Sequence, residues 1–270
     1  RIKDKEVPSY LPANILHDGV VTRSVRDTWA FHAEIEKNIP ATEFPPIGDI
    51  SESFPKNLKI AVLTENCLGE NSSAELVQAT HDVARLCESL GHEVEMISNP
   101  FYEKFDEDFW LLWAHFGFLI RYSVGKELSS KFDHTQLEQW PKYLISRHWR
   151  NIHKVPVAFL RLRRFVSQYE TFMQNFDILL TPTLGTTVPK LGFFGPEVSG
   201  QEHWERINDF LPFTKYQNIS GAPAITLPCG TDLKGLPIGI QLSSRLGEDR
   251  LLLKLSLQLE QNSNWKSLNK

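Results

Sequence analysis

Leu58-Lys-Ile-Ala-Val-Leu63 is a continuous apolar run of strand length, and after it Leu76, Ala79, Val83, Leu86 and Leu90 recur at three-four spacing as far as Gly91. The first pattern suits a strand covered on both faces, and the second puts one apolar stripe along a helix. Ser72 or Ser73 is placed to cap that helix, Gly91 to end it, and His92 to Ile97 to run as a second strand. Together they predict a βαβ unit, which sets an α/β class for the chain.

Before this unit, Leu11 to Gly19 reads as an extended lead-in. Ser24-Val-Arg-Asp27 opens a helix with Val25, Trp29 and Ala33 on one face. The prolines at 40, 45, 46 and 55 prevent its continuation, so Asn38 to Pro55 is expected to be a linker or surface crossing. After the unit, Tyr102 to Asn175 is helical in pattern and rich in aromatics, with interruptions at Pro141 and Pro156; three or more helices over one flank of the sheet are expected. Strands resume at Asp177-Ile-Leu-Leu180, Ala224-Ile-Thr-Leu227 and Leu236 to Leu242, with a helix near Trp204 to Gln217 between the first two. A last helix carries Leu251, Leu255 and Leu259. The architecture expected is a mixed β-sheet core covered by helices, in one domain spanning 1–270.

The chain has 270 residues, 41% of them hydrophobic, enough for a large core. Twenty-nine basic residues against 33 acidic ones give a net charge of -4, so no global positive field exists to hold nucleic acid or an anionic membrane. No run reaches the roughly 18 apolar residues of a membrane helix, and a cytoplasmic location is expected. Cys67, Cys87 and Cys229 are unevenly spaced without a C-x-x-C pair, which points away from a disulfide framework or a zinc site. His148 and His153 fall on different faces of a helix, and neither a metal nor a cofactor is expected. Between Gln139 and Tyr169 there is no acidic residue among seven basic ones, a face we expect to be balanced by Glu103, Asp106, Glu107 and Asp108 rather than by RNA. The chain opens at Arg1 and its first methionine is Met96, from which a preceding segment is expected.

No G-x-S-x-G, H-E-x-x-H, G-x-G-x-x-G or phosphate-loop motif is found. Three ordered motifs do stand out: Asp177-Ile-Leu-Leu-Thr-Pro-Thr183, Asn218-Ile-Ser-Gly-Ala-Pro-Ala-Ile-Thr-Leu-Pro228 and Gly235-Leu-Pro-Ile-Gly-Ile-Gln241. With the leucine-rich terminal helix and Asp18-Gly-Val-Val-Thr-Arg-Ser-Val-Arg-Asp27, they resemble the C-terminal portion of amidase-signature hydrolases. The resemblance implies hydrolysis of a carboxamide by a nucleophilic serine, activated through a second serine in a cis peptide and a lysine base. A serine hydroxyl needs such a base, and a lysine serves only if its surroundings lower its pKa. The family's Gly/Ser-rich segment is absent: no two glycines are adjacent here, and no catalytic residue is carried over. The chain alone is therefore expected to be inactive, with the missing N-terminal half and a small-molecule amide as its partners. Two rival readings are the glutaminase-like subunit of a tRNA-dependent amidotransferase and a non-catalytic binding module on the same scaffold.

Most residues of these motifs read as scaffold, since Pro182 and Pro223 bracket strand ends and Gly221, Gly235 and Gly239 permit turns or close approach. For substrate contact, the resemblance directs attention to Phe109 to Tyr122 and Leu184 to Phe194, where Trp113, Phe116, Phe118, Phe193 and Phe194 are candidates for an apolar pocket. Asn218 is a candidate polar contact, with backbone capping as its competing role. Arg23 and Asp27 are spaced for a local ion pair, and Cys229 for a small buried residue.

Overall fold

The computed structural model describes residues 11–13, 15, 19–38, 43–51 and 53–263. Asp18, and parts of the 11–19 lead-in and the 38–55 crossing, lie outside the described residues. The predicted βαβ unit is present as β1 (Lys59–Val62), α2 (Ala74–Ser89) and β2 (Glu93–Met96), after a first helix α1 (Val25–Asn38). Ser24 opens α1 as a cap, its Oγ accepting from the Asp27 N–H at 3.1 Å. Asp27 pairs with the adjacent Arg26 (3.7 Å) rather than with Arg23. Ser73 occupies the cap position of α2 without a capping side-chain bond, while Gly91 ends the helix at φ +88.

The helical middle resolves into α3 (Phe105–Leu119), a π-helical turn at Ile120–Val124, α4 (Gly125–Leu128), α5 (Gln139–Asn151) and α6 (Val155–Met173). Pro141 and Pro156 sit in the first turns of α5 and α6. They begin helices rather than interrupt one, because a first-turn residue needs no N–H donor within the helix. β3 (Ile178–Pro182) follows. The helix expected near Trp204 to Gln217 is two, α7 (Gly200–Phe210) and α8 (Lys215–Ser220), separated at Leu211-Pro212. β4 (Ala224–Thr231), β5 (Pro237–Ser243) and α9 (Asp249–Asn262) complete the fold.

The five strands form one mixed sheet in the order β2-β1-β3-β5-β4. β1 pairs in parallel with β2 and β3, while β5 pairs antiparallel with β3 and β4. Alternation along the strands divides the core in two. Ile60, Val62, Ile178, Leu180, Ile240 and Leu242 face a layer made by α1, α2 and α9. Ala61, Leu63 and Leu179 face the other way, against Phe105 and Phe109 of α3, Phe165 and Tyr169 of α6, and Tyr216 of α8. Of the four acids expected to balance the acid-free stretch, two do so, Asp108 with Arg161 (2.5 Å) and Glu107 with Lys154 (2.9 Å), while Asp106 pairs with Lys215 of α8.

Where α3 meets α5, the rings of His115 and His148 stand 5.1 Å apart, with Phe118 stacked on both. Burial, and then the charge of His148, hold His115 down to about 4; burial also lowers His148. Both rings are thus neutral in the native protein, whereas the unfolded chain takes up protons near pH 6.5. Their contribution is fully present above that value and is lost as pH falls towards 4. Because His115 is only partly buried, solvent screening keeps the expected loss to about 1 kcal/mol. The thermal midpoint should fall between pH 7 and pH 4.5, and the fall should shrink in His115→Phe; an equal fall in both proteins would remove the pair as its cause.

Candidate functional site

Polar side chains collect on one side of the sheet, where β5 passes beneath α8. Gln241 and Ser243 of β5 are 5% and 0% exposed, although on sequence their positions alternate with apolar ones as if facing solvent. They are buried because α8 covers that face, and they are paired, as buried polar groups must be. Gln241 Nε2 donates to Gln217 Oε1 (3.1 Å) and Gln217 Nε2 to Ser243 Oγ (3.0 Å). The Tyr169 hydroxyl donates to the same Ser243 Oγ (3.2 Å). Nothing in the hydrophobic pattern distinguishes these residues from a solvated strand face. Only the run of polar side chains at two-residue spacing, Gln241 and Ser243, would have raised the question.

Outside this layer, a groove of about 690 Å³ runs between the segment Gly19 to Val25, the turn from α8 into β4, and the start of α9. Its wall is mixed: Val20, Val25, Pro223, Ile225, Leu227 and Leu253 are apolar, while Asn218, Thr28, Arg23, His32, Asp249 and Glu260 supply polar and ionisable groups. The turn itself depends on Gly221, whose φ of +75 ends α8 in the left-handed region. β4 bounds the groove as an edge strand, paired only with β5 among the described strands.

On the far side of β4 lies a smaller cleft of about 130 Å³ lined by Thr183, Leu184, Thr187, Val188, Thr226 and Gly239. The Thr183 hydroxyl donates to Thr226 Oγ1 at 3.3 Å across β5. Gly239 makes that approach possible, since a Cβ there would lie 2.9 Å from Thr226 Cγ2 and 3.1 Å from Thr183 Oγ1.

Of the residues singled out from sequence, Asn218 lies in the groove. Trp113 and Phe116 pack against the α3–α6–α8 core. Phe118 belongs to the histidine cluster, and Phe193 and Phe194 pack on one another, with Arg206 over the first ring and Phe210 and His203 against the second. The five aromatic side chains thus sit in three separate places and do not join Asn218 in one pocket. Cys67 and Cys87 are buried, which pushes their thiols up to about 11 and about 12 and keeps them protonated at neutral pH. Cys229, expected to be buried, is partly exposed. Among the described residues no group of three or more metal-ligating side chains is present, and no helix is long and apolar enough to cross a membrane.

A mixed sheet between two helical layers is a fold this chain shares with amidase-signature enzymes of known structure. The fold of 6-aminohexanoate cyclic dimer hydrolase superposes with a TM-score of 0.72, at 24% identity over 90% of this chain and 54% of that one. A bacterial aryl acylamidase of the amidase signature family gives 0.73, at 20% identity over 98% and 57%. The chain belongs to the amidase family, which it matches over residues 5–253. It is 36% identical to the "Putative amidase AmiC" of Mycobacterium tuberculosis over 261 residues, 96% of this chain and 55% of that protein. It is 26% identical to the 6-aminohexanoate-cyclic-dimer hydrolase of Paenarthrobacter ureafaciens, over 94% and 55%. The chain spans about half the length of these curated relatives.

Proposed function

We propose that this chain is the C-terminal part of an amide hydrolase, which cleaves a carboxamide C–N bond with a serine nucleophile, a second serine and a lysine supplied by residues outside this sequence. The observation that carries the reading is the 36% identity to an amidase across nearly the whole chain, which covers 55% of that relative. The family match over residues 5–253 includes the three motifs, which build β3, the end of α8 with β4, and β5. The groove along β4 supports it physically: an open strand edge beside a trough is where further chain can extend the sheet and close a site. In this reading the present chain supplies the trough and Asn218, and the preceding segment supplies the nucleophile and the backbone N–H groups that hold the oxyanion. The names of the relatives, amidase and cyclic-dimer hydrolase at the head of them, favour an independent amide hydrolase over the glutamyl-tRNA(Gln) amidotransferase, to whose matching chain the identity is 25%.

The test compares the 270-residue chain with a longer protein that includes the region encoded upstream of Arg1, both assayed for ammonia release from hexanamide and benzamide. The chain alone should give no turnover, and the longer protein should turn over and lose at least a thousandfold when its nucleophilic serine is replaced by alanine. Specific turnover by the chain alone, or none by the longer protein on a broad amide panel, would overturn the proposal. The second outcome would favour the non-catalytic module.

A further inference from the structure

Helix α8 is only six residues long, yet Lys215, Tyr216, Gln217, Ile219 and Ser220 are all buried, and four of those five are polar. Each of the four is held. Lys215 Nζ lies 2.8 Å from Asp106 Oδ1 of α3, close enough for an ion pair although off the line of a hydrogen bond, and 5.7 Å from the Trp110 ring centre. The Tyr216 hydroxyl accepts from Asn99 Nδ2 (2.9 Å) and meets Cys67 Sγ at 3.1 Å. Gln217 is fixed by Gln241 and Ser243, and Ser220 Oγ accepts the Ala222 N–H in the turn that follows.

Asn218 is the exception. It is the one residue of the helix that is not buried, it lines the groove, and its carboxamide makes no hydrogen bond among the described residues. A short helix tied down on every side but one, with an amide that has no protein partner among the described residues on the remaining, partly exposed side, is a pre-organised presenter of that amide. An Asn side chain offers a donor and an acceptor in one plane, which matches a second carboxamide in a two-bond pair. Pro223, Ile225 and Leu253 on the same wall offer contact to an apolar substituent on that amide.

We infer that Asn218 is a carboxamide-binding residue of the groove, and that Lys215 and Gln217 are positioning residues that set its orientation. The inference rests on the amide-hydrolase reading for the source of the ligand, since the same pairing is open to a substrate carboxamide and to the N–H and C=O of one residue in an extended preceding segment.

The experiment uses the 270-residue chain, labelled with 15N, and titrates it with hexanamide while the side-chain NH2 signals are followed; hexanol is the control. The Asn218 signal, assigned from its loss in Asn218→Ala, should shift with hexanamide and not with hexanol. Binding should weaken at least tenfold in Asn218→Ala. Lys215→Met should weaken it while circular dichroism stays unchanged, and Lys215→Arg should restore part of it. Hexanamide binding of ordinary strength in Asn218→Ala, or no binding to the unaltered chain, would overturn the inference. In the longer protein, a raised KM for hexanamide at unchanged kcat in Asn218→Ala assigns the pairing to substrate. A fall in kcat at unchanged KM assigns it to the peptide group. Turnover without any effect of Asn218→Ala would sink the inference and leave the hydrolase reading standing; binding without turnover would do the reverse.

Discussion

Replacing Arg161 by methionine should cost about 4 kcal/mol of stability, more than any other loss of a charged side chain described here. Its partner Asp108 is fully enclosed, and the guanidinium binds it twice, Nε to Oδ2 at 2.6 Å and Nη2 to Oδ1 at 2.5 Å. Tyr102 donates a third bond to Oδ2 at 3.1 Å, and its hydroxyl pKa is raised by burial and then by that carboxylate. With Arg161 gone, an anion remains in the space between α3 and α6 with one neutral donor. The converse change, Asp108→Ala, leaves a guanidinium whose side chain is 34% exposed and so retains access to water. It should cost about 2 kcal/mol, the lower figure because the orphaned charge is partly hydrated. Urea unfolding at constant m-value measures both, and equal costs would refute the asymmetry.

Gly185→Ala is the second large effect. A Cβ at this position would stand 2.0 Å from the backbone oxygen of Asp209 and 3.1 Å from the ring of Pro212, neither of which is the free end of a side chain. The same residue accepts the Ser73 N–H at the start of α2 and donates to Phe210 O at the end of α7. Relief therefore requires moving the loop after β3 away from two helices at once. A loss of about 3 kcal/mol or more follows, with faster amide exchange at Ser73 and Gly185. Gly192→Ala provides the comparison: its φ of +85 disfavours a side chain, yet no atom lies within 4 Å of the added Cβ, so about 1 kcal/mol is expected. Similar losses at the two sites would mean that the contact at Asp209 relaxes freely.

Much of the sheet was legible because its strands are either continuous apolar runs or clean alternations. Leu58 to Leu63, His92 to Ile97 and Asp177 to Leu180 each match a strand to within one or two residues, and β5 differs by one at either end. The β4 strand runs four residues further than Ala224 to Leu227, to Thr231, because a register shift between Pro228 and Gly230 lets pairing continue past the proline. The split of α7 from α8 was marked only by Pro212: Trp204 and Ile207 lead in helical period up to Leu211, so periodicity alone reads on through the break. The site was less legible than the fold. Asn218 was open to inspection because it stands beside a glycine-proline turn. The layer of Gln217, Gln241 and Ser243 was not, since a polar residue on a strand reads as solvated until the element that covers it is known. The aromatic residues lie in three separate places, for the complementary reason that ring-rich helices fill cores as readily as pockets.

The register of the sheet also orders its assembly in time. β4 and β5 are joined by the short turn around Asp232 to Gly235, where Gly235 N–H reaches Asp232 O at 2.9 Å, so their pairing closes a small loop. β3 can pair with β1 only after the whole span between Val62 and Ile178, helices and β2 included, has been gathered in. Loop closure grows costlier with length, and contacts distant in sequence form late. The hairpin is thus expected to form first, and the junction of β3 with β1, on which both helical layers rest, to form last.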